Sequence, residues 1–186
     1  MKRLWLVGLC LVTYLAHAGV GPIPAQGQVE ILFSPHDPVE ARLIELIDGA
    51  KRSIHVQMYV FTRKSLAHAL VRAQARGVEV RVMADARQNQ RGRNALPILL
   101  SANIPVALEI DYQASHNKLM LIDVAMRHSR VVTGSYNYSW SAANKNAENV
   151  VIFHDNRPVA DAYLANWERH YRAAKPVKRL PVRLVE

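Results

Sequence analysis

Within HNKLMLID, residues 116 to 123, a histidine, a lysine and an aspartate punctuate an apolar run in the pattern H-x-K-x-x-x-x-D. Along a β-strand successive side chains alternate faces, so His116 and Lys118 project from one side, about 7 Å apart. A phosphate seated between them would be touched by an imidazole and an ammonium. Asp123 lies on the opposite parity, about 23 Å from His116 along a straight strand. It cannot orient that histidine, and its expected role is structural, tying down a hairpin.

RVVTG, 130 to 134, reads as the second arm of that hairpin, joined to the first through VAMRHS. It returns toward His116 and delivers GSYNYS, 134 to 139. The Ser135 hydroxyl and the Asn137 amide can then offer neutral hydrogen bonds to phosphate oxygens. Glu148, in ANKNAEN, is the nearest carboxylate after that loop. It is the candidate for holding the other nitrogen of His116, which would fix the tautomer and raise its basicity.

The rest of the chain has to position these groups. QVEILFS, 28 to 34, alternates as a strand. Asp37-Pro38 has the form of an N-cap followed by proline at the first helical position, and the helix after it aligns Val39, Leu43, Leu46 and Ile47. SIHVQMYVFT, 53 to 62, is a strand, and 66 to 77 an amphipathic helix that turns Leu66, Ala69, Leu70 and Ala73 inward and stops at Gly77. Strands follow at 78 to 85, 104 to 110 and 149 to 155, with a helical ALPILLSA between the first two and a closing helix from Arg157. Strand and helix alternate through the first half. This predicts an α/β domain with a mixed, largely parallel sheet flanked by helices, over residues 28 to 175. The Gly/Pro-rich stretch 19 to 27 reads as a linker, and 176 to 186 as a solvated basic tail.

The constellation of His116, Lys118 and Asp123, followed by Gly134, Ser135 and Asn137, resembles the signature of the phospholipase D superfamily, H-x-K-x4-D followed by G-S-x-N. MYVFT, RGVEVRVMAD and KNAEN are similar to the small secreted bacterial endonucleases of that superfamily, so the likeness runs over nearly the whole chain after residue 18. One departure is the ten-residue interval between Asp123 and Gly134, longer than usual in the superfamily. The surplus falls around Arg127 and His128, at the far end of the hairpin from His116.

The resemblance implies a phosphodiesterase that works with two histidines and needs neither metal nor cofactor. One histidine attacks phosphorus to give a phosphohistidine, another protonates the leaving oxygen, and water completes hydrolysis. The chain has one copy of the motif, so the resemblance implies a homodimer whose two copies meet at a two-fold axis. His128 and His154 are the in-chain alternatives, and neither lies in a second H-x-K frame.

The chain has 186 residues, half of them apolar, and a formal charge of +9. That composition supports one domain with a real core and excludes disordered and collagen-like classes. Residues 1 to 18 read as a secretory leader, with Lys2 and Arg3, an apolar stretch from Leu4 to Ala16, and an A-x-A site at Ala16-His17-Ala18. Cleavage there predicts a periplasmic or secreted protein without stable membrane association. The alternatives are an uncleaved N-terminal anchor, for which the apolar run stops short of about 20 residues, and lipid attachment at Cys10, disfavoured by Leu9. Removing the leader takes Lys2, Arg3 and Cys10 with it, lowering the charge from +9 to +7 and leaving no cysteine. Stability then rests on the core.

The positive balance suits a polyanion, either nucleic acid or an anionic membrane. Arg87, Arg91 and Arg93 follow the C-terminal end of a strand, where α/β proteins bind ligands, and can grip a nucleic-acid backbone; a solvated basic loop is the competing reading. A metal site built on His116, Asp123 and His128 matches no common ligand spacing, and Lys118 would repel a cation. Tyr136, Tyr138 and Trp140 alternate as core or interface residues or as stacking platforms, and Tyr163, Trp167 and Tyr171 mark a docking face on the closing helix. The sequence points first to a non-specific endonuclease acting on DNA, possible on RNA too, and second to a hydrolase of phospholipid head groups.

Overall fold

The computed structural model describes residues 21–24 and 26–185, so the expected leader at 1 to 18 lies outside the described residues. The element order is β1 (Gln28–Ser34), α1 (Val39–Asp48), β2 (Ser53–Met58), α2 (Lys64–Ala75), β3 (Glu79–Asp85), α3 (Ala86–Asn89), α4 (Leu96–Ser101), β4 (Val106–Glu109), β5 (Lys118–Ile122), β6 (Arg130–Gly134), α5 (Trp140–Asn144), β7 (Glu148–His154), α6 (Arg157–Ala173) and β8 (Lys175–Val177). The eight strands form one sheet in the order β1-β7-β6-β5-β2-β3-β4-β8.

The expected mixed sheet is present, but parallel pairing is confined to β2–β3 and β3–β4. All the other neighbours run antiparallel. The cause is the second half of the chain, where β5, β6 and β7 follow one another as a meander with no crossover helix long enough to reverse direction.

The pleat divides the core in two. Ile54, Val56 and Met58 of β2 and Met120 and Ile122 of β5 face α1 and α2, where Leu43, Ile47, Leu66 and Leu70 close the layer. Met83, Leu119, Leu121 and Val131 face the other way, under Trp167 and Ala160 of α6. Trp167 is 1% exposed, its indole N–H donates to the Val56 carbonyl at 3.1 Å, and Tyr171 stacks on it at 4.5 Å between ring centroids. The docking face on α6 is therefore real.

Two local expectations change. Asp37 does not cap α1: its carboxylate accepts the Phe33 N–H at 2.7 Å, and Pro38 takes the N-cap position. The carboxylate finds a closer donor at the end of β1 than in the helix it precedes. The basic tail is not a free extension. Lys175–Val177 pair with β4, and beyond them the Gln90 amide holds the chain through Leu184 N–H (2.8 Å), Val185 N–H (3.1 Å) and the Val185 carbonyl (2.6 Å). Leu180, Val182 and Leu184 pack on the core between the charged residues.

Candidate active site

Six strand ends converge at one edge of the sheet. β2 ends at Met58 opposite Lys118, the first residue of β5. Leu119 pairs with Thr133, which sets Gly134 at the open end of the hairpin beside Lys118. Gly134 in turn faces Val150 of β7, two residues beyond Glu148. Asp85 and Glu109 end β3 and β4 at the same edge. The longer hairpin loop, 123 to 129, sits at the opposite end, as expected.

His116 lies just outside β5, in the irregular segment that enters it, and is exposed. The separation expected from a straight strand is replaced by direct contact. Lys118 Nζ is 2.8 Å from His116 Nδ1 and donates to the His116 carbonyl at 2.6 Å. The imidazole leans on Tyr59 at 4.4 Å between centroids, and the ammonium sits 4.9 Å from the same ring. Lys118 is only 5% exposed. Burial pushes its pKa below the ordinary lysine value, against the opposing pull of the Glu148 charge.

Gly134 is required by close approach. Its φ is +149°, and a Cβ there would lie 2.1 Å from the Asn149 carbonyl oxygen. Ser135 continues the contact: its N–H donates to Asn149 O at 3.1 Å, and its hydroxyl oxygen accepts from Asn149 N at 3.0 Å. That bond uses the oxygen only as an acceptor, so the hydroxyl keeps its own O–H as a donor. Asn137 accepts the Val60 N–H on its Oδ1 at 3.2 Å, which leaves its amide NH2 as the outward donor. Tyr136 and Tyr138 are core residues, and Trp140 alone of that alternating trio is exposed.

Glu148 does not reach His116 within one chain. Its carboxylate accepts from the Asn146 amide at 2.8 Å, and its influence at the site is electrostatic, on Lys118. Asp123 sits at the far end of the sheet with φ +53°, where its carboxylate accepts the N–H groups of Lys51 (2.9 Å), Arg52 (2.7 Å) and Ser53 (3.0 Å). It anchors the turn into β2. His128 pairs with Asp155 at that same far end, and His154 with Glu30 at 3.0 Å. Neither His128 nor Asp123 is brought to His116, so the three-residue metal grouping is not assembled. Arg91 and Arg93 are exposed on the loop after α3, as is Arg87 within it.

A buried polar network behind His116 carries no motif. Ser115 is buried; its N–H donates to Asp85 at 2.8 Å and its hydroxyl to Glu109. Gln57 donates to the same Glu109 carboxylate at 3.0 Å, and His170 of α6 pairs with its other oxygen. The signal available in sequence was the polar termini of otherwise apolar strands: Gln57 in β2, Asp85 in β3 and Glu109 in β4. His170, which sequence gives no reason to single out, completes the network.

Comparison with known proteins agrees with this geometry. Residues 43–171 match the family described as "Cardiolipin synthase, PLD-like domain". The chain is 34% identical over 143 residues to a phospholipase D of Rickettsia prowazekii, covering 77% of this chain and 67% of that one. It is 32% identical over 143 residues to a mitochondrial cardiolipin hydrolase of Xenopus tropicalis, covering 76% and 66%. The crystal structure of Nuc, a phospholipase D family member from Salmonella typhimurium, superposes with a TM-score of 0.75 at 28% identity, covering 82% of this chain and 99% of that one. The chain belongs to the phospholipase D superfamily and is a phosphodiesterase of that class.

Proposed function

We propose that the protein is a metal-independent endonuclease that cleaves DNA, and RNA by the same chemistry, with little sequence preference. The observation that carries this reading is the setting of His116: an exposed imidazole on an open rim, backed by a buried ammonium, with Arg91 and Arg93 exposed on a neighbouring loop. Such a rim admits a long polyanion, and backbone charge supplies most of its non-specific affinity.

In the reaction, a ring nitrogen of His116 attacks phosphorus and the bond to the leaving oxygen breaks. That oxygen takes a proton from a second histidine. Water then attacks the phosphohistidine while the second histidine takes its proton, which releases the phosphomonoester and restores both imidazoles. Lys118, the Ser135 hydroxyl and the Asn137 amide stabilise charge on the transferring group. General-acid help is typically worth about 10² to 10⁴ in rate.

The second histidine is His116 of a second copy. His128 and His154 are held elsewhere by Asp155 and Glu30, so neither of the in-chain alternatives is placed to supply it. An apolar face supports the homodimer: Val29, Ile31 and Phe33 of edge strand β1 are 54%, 55% and 56% exposed and point to one side. Phe33 pairs with Asn149, next to the site. A contiguous apolar surface of this kind marks an association face. In a two-fold pair Glu148 has a histidine from the other copy to hold.

Phospholipid head groups are the second reading, favoured by relatives named phospholipase D and cardiolipin hydrolase. One experiment separates the two. The protein and its His116→Ala variant are incubated in excess EDTA with plasmid DNA, single-stranded DNA, RNA and phospholipid vesicles. Nucleic-acid cleavage that survives chelation and vanishes in the variant is expected; head-group release without nucleic-acid cleavage would transfer the assignment to lipid.

A further inference from the structure

We infer that Trp140 is a stacking platform for an unpaired base, so that the site prefers single-stranded nucleic acid. The inference rests on the nuclease reading above and names the form of its substrate.

Trp140 is 53% exposed, although it follows directly on the site loop. It lines a surface cleft with Thr62, Arg63, Lys64 and Ser65. Every other member of that lining is polar or cationic, so the indole is the single apolar surface there. Lys145 reaches across its ring at 5.9 Å. Lys64 and Lys145 have no ion-pair partner among the described residues, whereas Arg63 is paired with Glu40. The cleft therefore combines a flat aromatic face with Lys64 in its lining and Lys145 beside the indole. A base with its phosphates fits this pair of features, since stacking needs only a π-face and the cations take the backbone.

The platform is fixed relative to the chemistry. The Tyr138 carbonyl accepts the N–H groups of Thr62 (2.7 Å) and Arg63 (2.9 Å), which stitches segment 59–63 to the site loop. The Ser139 hydroxyl caps α5 through Ala142 N at 3.2 Å and holds the helix that begins at Trp140. Tyr59 touches His116 at one end of the segment, and Lys64 flanks Trp140 at the other. Five residues span at most about 17 Å, a few nucleotides of extended strand. In a duplex the base faces are already stacked on one another, so only an unpaired base can lie on the indole.

The lining argues against a bilayer. Membrane-surface binding scales with the apolar area inserted, and here a single indole ringed by Thr62, Lys64 and Ser65 offers little.

The test uses the His116→Ala protein, which binds without cutting, and reads the difference in fluorescence between it and the same protein carrying Trp140→Phe. Three probes are titrated: an oligothymidylate, a duplex of mixed sequence, and vesicles of phosphatidylcholine with phosphatidylglycerol. Saturable quenching of the Trp140 signal by the oligothymidylate, at several-fold lower concentration than by the duplex, is the expected result. In the active enzyme Trp140→Ala should raise KM for single-stranded DNA about tenfold, and Trp140→Phe should restore much of the loss. Equal response to duplex, or no response to any nucleic acid while plasmid cleavage persists, overturns the platform and leaves the nuclease standing. A blue shift with vesicles, together with no cleavage of any nucleic acid by the active enzyme, overturns both.

Discussion

Lys118 and His116 are in contact, with Nζ 2.8 Å from Nδ1, although one is almost fully buried and the other is exposed. The lysine thus presents its charge from beneath, and the histidine stands between that charge and solvent. A phosphodiester arriving at His116 meets the ammonium without Lys118 having to leave the sheet.

This arrangement has a linkage signature. Burial holds the Lys118 pKa below that of a lysine in the unfolded chain. Between the lowered value and the ordinary one the unfolded chain binds more protons than the folded one, so stability rises with pH through that window. Below it both states are charged and the desolvation cost is carried in full. Lys118→Met should abolish cleavage and remove the slope: thermal midpoints from neutral to alkaline pH would show wild type gaining on the variant. Parallel curves would refute the assignment.

Asp123 belongs to the motif but acts as an anchor. Asp123→Ala removes the acceptor of three backbone N–H groups and should cost about 3 kcal/mol or more. Asp123→Asn keeps one acceptor oxygen and tolerates the positive φ, and should cost less. In both, kcat per folded molecule should stay within a few-fold of wild type. Denaturant titration beside active-site-normalised kinetics checks this; a kcat collapse with intact stability would move Asp123 into the chemistry.

Ser115→Ala strips one donor from the buried Glu109 carboxylate and loosens the segment entering His116. A stability loss of about 1–3 kcal/mol should accompany a fall in kcat larger than any rise in KM. Ser115 would be a positioning residue, because it acts through His116. An unchanged kcat in the folded variant would remove it from that role.

Gly134→Ala places a methyl group on the Asn149 carbonyl at a φ that favours glycine. The contact cannot be relieved without parting β6 from β7, and a loss of about 3–4 kcal/mol is expected. Chemical unfolding would report it directly.

Phe33→Asp places a charge in the exposed face of β1. Sedimentation should find a folded monomer, and that monomer should not cleave. A fully active monomer would end the shared-site proposal.

Much of this site was legible from the chain alone because its groups are local. His116, Lys118, Ser135 and Asn137 fall within one hairpin, whose alternation and spacing carry their relative placement. That Asp123 lies away from His116 followed from its separation and parity; that it holds the turn into β2 at Lys51, Arg52 and Ser53, rather than the hairpin, did not. What escaped had long-range causes. Glu109 meets Ser115, Gln57 and His170 only because three strand ends and a closing helix converge, and no periodicity records that. Parallel pairing is less extensive than the sequence suggests, because alternation of strand and helix stops at β5, where hairpins take over. Asp37 reads in sequence as the cap of the helix ahead of it, whereas the donor it meets, the Phe33 N–H, lies behind. The tail looked solvated because its charges dominate its composition, while every second residue from Leu180 to Leu184 turns onto the core.

The pairing of β1 with β7 has a consequence for the order in which the molecule can be completed. Gln28 meets His154, and Ser34 meets Glu148, so the first strand has no neighbour until residues 148 to 154 exist. The opposite border likewise waits for Lys175–Val177 to join β4. A chain emerging from a ribosome therefore holds β1 unpartnered until β7 has been made, and the two borders of the sheet close after its middle strands exist. Contacts so distant in sequence form slowly. The parallel β2, β3 and β4 are by contrast all present once residue 109 has been made, so the middle of the sheet can form before either border.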